Sequence, residues 1–495
     1  MKLGWNATSG RALGWNTSNR NQNLMHPGWN LINRIISDSA ITLIDTFTDT
    51  NGTLLNVHSP DTGPTNAWAS VPDTWTISSN AAINAPTLGD EKLGNFTASH
   101  DYSDGIASGN WIKYSTPAAI STDLASVLTV VVDSNNDGIN RVSLRPPIIT
   151  GQFYRYGAVA TLIDAAGGET IVWNNYYNAT SHSRLIPADG NYVFYFLADK
   201  TDTVSVDLTG QGNVDGFSFT IANPTFKSLT TSELFAMTNT GFSTGYVKLT
   251  DTVIAAGSIL GAAMCGDAAN PSNAFVGIAN RTAGNFQVYA LDSGTWTSLI
   301  NTAFTYAANA EIVLLLDENK KYLYAFYNNV LIGTRQDVSS YTGIVNNTWH
   351  GMFSTSSGNS VSGIDIKPLQ LGSDLITVAA DRTFSSDTGF WSKGANGSIG
   401  SGTYNLNGAQ GLFYRNGLLT VGEIYHVQID VVTWDSGAAL RWRGENDAST
   451  YGELTKTAGT TSERYLIANA TSFGVTTASF PAVGSLDNIS VRQVQ

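Results

Sequence analysis

Strand-length apolar runs separated by turn residues recur from residue 41 to the end of the sequence. EIVLLLDENKKYLYAFYNNVLIG shows the pattern, with two apolar runs around a polar turn and then Asn328-Asn329, which predicts a tight turn. Further hairpins are predicted for SVLTVVVDSNNDGINRVSL, NFQVYALDSGTWTSLI and YHVQIDVVTWDSGAALRWRG. Turn signals every ~8–12 residues are typical of β-sandwiches, so we predict an all-β chain of jelly-roll modules.

The composition agrees with this prediction and excludes several classes of protein. Glycine is abundant, with 48 residues, and only 13% of the residues are charged, which suits short strands joined by turns. The net charge of −13 argues against nucleic acid as the main partner. No apolar run approaches the ~20 residues that span a bilayer, so we expect no membrane insertion.

Three similar strands divide the chain into modules. They are GFSFTIANPTF (216–226), SGIDIKPLQ (362–370) and LDNISVRQV (486–494), and each alternates apolar and polar residues. Their spacing of roughly 125–145 residues suits one jelly roll each. We therefore interpret them as the closing strands of three sandwich modules.

Residues 44–80 resemble the opening of concanavalin A-like (laminin-G-like) sandwich domains, which occur in phage structural proteins and bacterial surface proteins. In such domains the next segment usually has a Thr-Gly followed by long strands. In this sequence we place that continuation of the domain pattern at SELFAMTNTGFSTGYVKLTDTVI (232–254). The residues that carry the resemblance are Asp45, Phe47, Asp49, Gly52-Thr53, His58-Ser59-Pro60-Asp61, Gly63, Trp68 and Trp75.

The interrupted resemblance implies that one domain is inserted into a loop of another, which costs little closure entropy. Residues 39–89 and 229–370 are then the concanavalin A-like sandwich, and residues 90–228 are an inserted jelly roll. A plain tandem order, 39–227 followed by 228–370, is the alternative. Residues 371–495 resemble the jelly-roll carbohydrate-binding modules found at the ends of phage and secreted proteins.

Residues 1–38 form an N-terminal arm that contains Gly-Trp-Asn three times. Residues 1–37 contain four basic residues and no acidic residue, which gives them a charge of +4. The rest of the chain therefore carries −17 of the net charge of −13. Such an arm cannot bury its tryptophans by itself, and Trp and Arg are enriched at interface hot spots. We predict an attachment arm, although packing on its own sandwich or on a sister subunit is the alternative. The predicted contact residues are Trp5, Trp15, Trp29, Arg11, Arg20 and Arg34.

We expect no enzyme, because the Glu-x-Asp-x-x-Glu pattern of laminarinase-type hydrolases is missing and we find no convincing carboxylate pair. We also expect no cofactor. The stretch DSNNDG makes Asp133, Asn135 and Asp137 weak Ca²⁺ candidates, but Leu144 stands where a calcium loop needs its bidentate Glu. A hairpin turn is therefore the default interpretation of this stretch, and we predict no metal site.

The last module offers a candidate glycan-binding face. If Asp435–Ala438 forms a turn, Trp434 pairs with Ala439 and Asp430 pairs with Arg443, while Trp442 points into the core. An aromatic ring beside hydrogen-bonding and guanidinium groups suits a sugar. A salt-bridged solvent face is the alternative. The six residues predicted to share this outer face are Trp434, His426, Gln428, Asp430, Arg441 and Arg443.

These features together predict a phage virion structural protein, either a tail or neck fibre or a capsid decoration protein, located in the virion and released by lysis. Cys265 is the only cysteine, so no internal disulfide can form, and no apolar signal-peptide segment follows Met1. The arm would bind other virion proteins and the sandwiches would project, with host-surface glycan as a further partner and homo-oligomers allowed. The alternative is a secreted or surface bacterial adhesin or polysaccharide-processing accessory protein.

Overall fold

A computed structural model describes residues 5–6, 11–12, 42–92, 111–114, 119–122, 127–131, 140–144, 149–163, 170–176, 182–198, 205–211, 218–394, 397–408, 413–436, 440–444, 450–477 and 482–495. Within these residues the all-β prediction is confirmed: antiparallel sheets form jelly-roll sandwiches. The α-helical segment found among them is α1 (Ala379–Arg382), and 3-10 turns occur at Leu55–Val57 and Thr231–Glu233. No helix in the described ranges is long and apolar enough to cross a membrane.

The arm is a separate unit, Met1–Ile41, of which the structure describes one small antiparallel pair of strands. Strand β1 (Trp5–Asn6) pairs with β2 (Arg11–Ala12), so that Asn6 stands opposite Arg11. The other predicted contact residues lie outside the described residues. The role of the arm therefore stays a prediction for Trp15, Trp29, Arg20 and Arg34 as well as for Trp5 and Arg11.

The compact body, Thr42–Gln495, starts with three short strands, β3 (Leu43–Asp45), β4 (Trp75–Ile77) and β5 (Ala82–Asn84). The next strands form what we call the nested jelly roll. They make a six-stranded sheet, β14-β11-β16-β9-β8 with β6 beside β16, and a five-stranded sheet, β13-β12-β15-β10-β7. Their bounds are β6 (Leu88–Glu91), β7 (Trp111–Tyr114), β8 (Ala119–Thr122), β9 (Val127–Val131), β10 (Asn140–Leu144), β11 (Phe153–Ile163), β12 (Thr170–Tyr176), β13 (His182–Ile186), β14 (Gly190–Leu197), β15 (Ser205–Gln211) and β16 (Ser218–Leu229).

The central sandwich follows, with a six-stranded sheet, β17-β27-β19-β20-β21-β22, and a seven-stranded sheet, β25-β24-β23-β18-β28-β3 with β26 beside β24. Its strands are β17 (Phe235–Asn239), β18 (Gly245–Thr252), β19 (Ile259–Gly266), β20 (Ala274–Asn280), β21 (Asn285–Asp292), β22 (Thr295–Ala303), β23 (Ala310–Leu316), β24 (Tyr322–Tyr327), β25 (Val330–Leu331), β26 (Gln336–Asp337), β27 (Trp349–Ser354) and β28 (Gly363–Pro368).

The C-terminal module also has two sheets. One has six strands, β31-β32-β39-β34-β37 with β29 beside β39, and the other has five, β30-β33-β38-β35-β36. The strands are β29 (Leu371–Asp374), β30 (Ser392–Lys393), β31 (Gly397–Gly400), β32 (Thr403–Gly408), β33 (Phe413–Arg415), β34 (Ile424–Ser436), β35 (Leu440–Arg443), β36 (Thr450–Glu453), β37 (Thr460–Ile467), β38 (Phe473–Thr477) and β39 (Ala482–Val494).

Segments on both sides of the nested jelly roll belong to the same central sandwich. β3 is hydrogen-bonded to β28, with Ile44 opposite Asp365. Phe47, Trp68 and Trp75 are fully buried in one apolar core with residues from β18 to β28. The chain therefore leaves this sandwich after β5 and returns to it at β17. The domain boundaries given above stay predictions.

Two of the four predicted hairpins are present and two are wrong. β21 pairs with β22, and β23 pairs with β24. In contrast, β9 and β10 belong to different sheets, and so do β34 and β35. In a sandwich a short connection either reverses the chain within one sheet or carries it to the opposite sheet, and local turn residues do not distinguish the two cases.

The central sandwich is covered on both of its outer faces by the neighbouring modules. On its six-stranded sheet, Phe235, Ile278 and Phe353 pack against Phe153 and Tyr195 of the nested jelly roll. On its seven-stranded sheet, the side chains of β18, β23 and β24 pack against the C-terminal six-stranded sheet. The second junction consists of Tyr246, Val313, Leu315, Tyr324, Phe326, Ile424, Tyr465, Ile467 and Val494.

A buried carboxylate fixes the start of the central sandwich. Asp45 is 1% exposed, and its Oδ2 accepts a hydrogen bond of 2.7 Å from Trp68 Nε1. Its Oδ1 accepts the Phe47 amide at 2.8 Å and lies 2.9 Å from His58 Nε2. His58 Nδ1 lies 3.2 Å from an Asp49 carboxylate oxygen, so both ring nitrogens face acids. Burial lowers the pKa of His58, but the bonds and charges of Asp45 and Asp49 outweigh it, and the net pKa is raised.

We therefore expect the unfolding free energy to depend on His58 at neutral to alkaline pH. A raised folded-state pKa gives stabilisation that is complete below the unfolded value of ~6.5 and is lost as the pH rises through the folded-state pKa. Urea unfolding between pH 6 and 9 should show this decline in the wild type and a flatter profile in His58→Gln. Burial lowers the pKa values of His350 and His426, so their contributions to stability change with pH in the opposite direction and are the same in both proteins. An identical slope in both proteins would contradict the role assigned to His58.

Candidate functional site

The junctions bury parts of several sheet faces. Each outer face of the central sandwich carries residues that pack against a neighbouring module, and the C-terminal six-stranded sheet is covered around Ile424, Tyr465 and Ile467. The outer face of the C-terminal five-stranded sheet is open, because Tyr414, Arg441 and Arg443 on it are all partly exposed. This face is the candidate site.

An aromatic ring and a guanidinium flank a glycine in the middle of this face. Strand pairing places Tyr414 opposite Gly474, and Gly474 opposite Arg443. Cζ of Arg443 lies 5.8 Å from the centroid of the Tyr414 ring, within the range of a cation–π contact. A Cβ atom at position 474 would lie 2.0 Å from the carbonyl oxygen of Phe413. No residue with a side chain fits at position 474. The Tyr414 ring and the Arg443 guanidinium therefore approach each other above the Gly474 backbone, with no side chain between them.

A second polar row lies two residues along the strands. Thr476 stands opposite Arg441, which stands opposite Glu453. Nη2 of Arg441 is 3.7 Å from a Glu453 carboxylate oxygen, and both side chains are well exposed, at 41% and 58%. An exposed ion pair of this kind contributes little free energy. The Arg441 guanidinium thus remains able to donate hydrogen bonds to a ligand.

The chemistry of this face fits a saccharide. The Tyr414 ring offers an apolar surface for one face of a sugar ring, and the guanidiniums of Arg443 and Arg441 offer paired N–H donors for hydroxyl or carboxylate oxygens. The side chains under the face are core residues. Trp442 and Phe473 are fully buried and stack with ring centroids 5.6 Å apart, so the face lies on a packed support.

The predicted outer face divides between the two sheets of the module, so the predicted pairing is wrong. Asp430 stands opposite Thr461 and Asp487 in the six-stranded sheet rather than opposite Arg443, which lies in the five-stranded sheet. The structure therefore separates Arg441 and Arg443 from His426, Gln428 and Asp430. The predicted core position of Trp442, by contrast, is confirmed.

Trp434 also departs from its predicted place. The register of β34 against β39 shifts between Val431 and Thr433, and such bulges break the alternation of side chains. Trp434 is partly buried, stands opposite Gly484 and packs against the core of the module. Its role in glycan binding stays a prediction, but it does not share a face with Arg441 or Arg443.

His426 lies in the junction with the central sandwich. It is 6% exposed, its ring centroid is 4.8 Å from that of Tyr465, and its Nε2 is 3.7 Å from a Glu463 carboxylate oxygen. Burial, the largest effect, lowers the pKa of His426. The cavity beside it has a volume of about 10 Å³, which is room for about one water molecule and not for a sugar. Position 426 is therefore unsuited to the predicted role.

Gln428 and Asp430 remain on the uncovered part of the six-stranded sheet. Asp430 accepts hydrogen bonds from Thr461 Oγ1 at 2.6 Å and from Asn488 Nδ2 at 2.8 Å. Both Asp430 carboxylate oxygens thus accept hydrogen bonds from the protein itself. This arrangement fits the alternative of a solvent-facing polar surface better than it fits a binding site. Their glycan role is untested.

Sequence reasoning missed Tyr414 and Gly474, which come from segments far from β35. Alternation in GLFYRNG predicts that Phe413 and Tyr414 point to opposite faces, but only the strand order brings Tyr414 close to Arg443. No group of three or more His, Cys, Asp or Glu side chains in the described ranges could hold a metal ion. The Ca²⁺ candidates Asp133, Asn135 and Asp137 lie outside those ranges.

Comparisons with known proteins do not identify a family. No family model matches the sequence, and no curated protein matches it. Solved structures that are similar include the tandem CBM22 domains at the N-terminus of Xyn10C from Paenibacillus barcinonensis, with a TM-score of 0.18 and 9% identity over 83% of this chain and 100% of that chain. Another is a mutant of the GH43 protein BlXynB from Bacillus licheniformis, with a TM-score of 0.17 and 13% identity over 58% and 41%.

A third similar structure is a protein with a triple jelly-roll fold from the turret of an archaeal virus, with a TM-score of 0.17 and 9% identity over 83% of this chain and 91% of that chain. TM-scores this low carry no argument about fold or function. The fold described above therefore rests on the strand pairings and cores of the chain itself.

The positions of Trp442 and Trp434 predict unequal losses of unfolding free energy when each is truncated to alanine. Trp442→Ala should cost about 3–5 kcal/mol of unfolding free energy, because it opens a cavity between the two C-terminal sheets. Trp434→Ala should cost clearly less, because its indole is partly exposed at the edge of the core. Urea denaturation of both variants checks this order. Equal losses would show that Trp434 is as deeply packed as Trp442.

Proposed function

We propose that this protein is a non-catalytic virion structural protein that displays β-sandwich modules and binds a host-surface glycan through its C-terminal five-stranded sheet. The observation that supports glycan binding is the juxtaposition of the Tyr414 ring and the Arg443 guanidinium over Gly474. The covered faces of the central sandwich support a spacer role for that domain.

The arm supports the structural part of the proposal. The +4 charge of residues 1–37 is opposite in sign to that of the rest of the chain, and the three tryptophans of the arm suit pockets on another surface. The Gly-Trp-Asn unit recurs at Trp5 and Trp15, and because Ala12 lies opposite Trp5, the two units are closer than ten extended residues would place them. Repeated units suit the repeated sites that a symmetric shell or ring offers.

The glycan proposal predicts a specific loss of binding. In gels containing polygalacturonate, an acidic polysaccharide that suits two guanidiniums, the full chain should migrate more slowly than in gels without it. Tyr414→Ala should weaken this retardation by on the order of tenfold in Kd, equivalent to ~1.4 kcal/mol, because the sugar loses its stacking surface. Affinity electrophoresis at several polysaccharide concentrations gives both Kd values.

Tyr192→Ala is the matched control, because Tyr192 is a partly exposed tyrosine on the nested jelly roll, stacked on Phe194. It should bind like the wild type. Equal retardation of Tyr414→Ala and the wild type would remove the candidate face from the proposal. If neither the wild type nor Tyr414→Ala is retarded by polygalacturonate or by neutral dextran, the result would argue against glycan binding by this sheet.

The attachment proposal predicts that the arm is dispensable for folding and required for assembly. A protein lacking residues 1–38 should keep the melting temperature of the full chain but should be absent from purified particles when it is the only copy supplied. Full-length protein with Trp5, Trp15 and Trp29 all changed to Ala should behave in the same way. A lower melting temperature or aggregation would assign the arm to the protein's own core. Export of the intact chain to a bacterial surface would favour the adhesin alternative.

A further inference from the structure

Arg464 is a half-buried arginine without a carboxylate partner among the described residues. It lies on β37, the edge strand of the C-terminal six-stranded sheet. Its Nε atom is buried and has no hydrogen-bond partner within the described part of the chain. Arginine is rarely buried unless it is paired. The arrangement therefore calls for a physical explanation.

Two other cations of the same body face a carboxylate. Nζ of Lys248 lies 2.7 Å from a Glu311 carboxylate oxygen, and Arg441 faces Glu453. For Arg464, burial is the main influence and lowers the pKa of the guanidinium to about 10, with the nearby charge of Arg335 acting in the same direction. The charge of Glu463 acts on Arg335, and Arg335 acts on Asp337, whereas no carboxylate is among the described groups that act on Arg464.

A glycine makes the space that the Arg464 guanidinium occupies. Gly452 on β36 stands opposite Trp442, and its φ of +108° is rarely adopted by residues with a side chain. A Cβ atom at position 452 would lie 2.0 Å from Nη1 and 2.8 Å from Cζ of Arg464. Any side chain there would displace the guanidinium. The sequence therefore leaves room for this group in particular.

Arg335 of the central sandwich reaches the same strand from the other side of the junction. Its Nη1 donates a hydrogen bond of 2.8 Å to the carbonyl oxygen of Glu463, which belongs to the peptide that precedes Arg464. The same nitrogen lies 3.3 Å from the Tyr324 hydroxyl, and the guanidinium stacks over the Tyr322 ring at 3.9 Å. These contacts hold Arg335 in place beside the edge of β37.

We propose that Arg464, with Arg335 nearby, forms an anion-binding site at the edge of the C-terminal module, where β36 and β37 come together beside the junction with the central sandwich. The group that it takes is an oxyanion, such as a carboxylate or a sulfate, because a guanidinium offers parallel N–H donors that match two oxygens. The source is either an acidic saccharide or a free inorganic anion. This site is separate from the Tyr414 face and does not depend on the proposed glycan function.

The test is a thermal shift measurement on the full chain at low ionic strength, with sodium glucuronate, glucose and sodium sulfate as separate additions. Glucuronate at saturation should raise the wild-type melting temperature by about 2–4 °C, because a ligand that binds only the folded state stabilises it. Glucose should have no effect. A shift with sulfate but not with glucuronate would support the site with an inorganic anion as its ligand.

Arg464→Gln should remove the shift, and its own melting temperature should equal or exceed that of the wild type, because it deletes an uncompensated charge. A clearly lower melting temperature would overturn the proposal in favour of a structural role. Arg464→Lys, which keeps the charge without the planar fork, should fold and show a reduced shift. Because the Tyr414 face is itself proposed to take an acidic saccharide, the comparison is repeated in Tyr414→Ala, which should keep a shift that the added Arg464→Gln change removes. Loss of the shift in Tyr414→Ala, or its survival in the double variant, would place the anion elsewhere and overturn the site.

Discussion

Apolar packing between the outer faces of neighbouring sheets is the interaction on which the rest of this structure depends. A sandwich ordinarily buries its inner faces and leaves its outer faces to solvent. In this chain Phe235 and Phe353 on one side of the central sandwich, and Leu315 and Phe326 on the other, are buried by neighbouring modules. Both outer faces of the central sandwich thus take part in packing, and the candidate sites described here lie on the C-terminal module.

The sequence predicted elements better than it predicted their partners. Asn328 and Asn329 both have positive φ, at 49° and 65°, as the predicted tight turn between β24 and β25 requires. The three predicted closing strands are present as β16, β28 and β39. Two predicted hairpins failed because strand alternation does not reveal whether a connection stays in one sheet. The buried Asp45 network was visible only as separate residues, since Asp45 and Trp68 are 23 positions apart.

The same limit explains the candidate site. Arg441 and Arg443 were predicted on an outward face, and they are there, but the aromatic residue beside them is Tyr414 rather than Trp434. A bulge near Val432 and the crossing of the chain from one sheet to the other place Trp434 and His426 away from Arg441 and Arg443. The sequence at this position signals neither feature. The roles of Gly452 and Gly474 could not be predicted in a chain with 48 glycines. Gly474 is explained by the backbone atoms that border the space of its missing Cβ, and Gly452 by its φ of +108° together with the Arg464 guanidinium beside it.

The packed junctions imply that the modules of the body behave as one unit rather than as independent domains on linkers. Differential scanning calorimetry of the full chain measures whether they do. If the outer-face junctions are as apolar and buried as described, the body should unfold in one transition, with a calorimetric enthalpy close to the van't Hoff enthalpy. Separate transitions, with the C-terminal module melting independently of the central sandwich, would contradict the account.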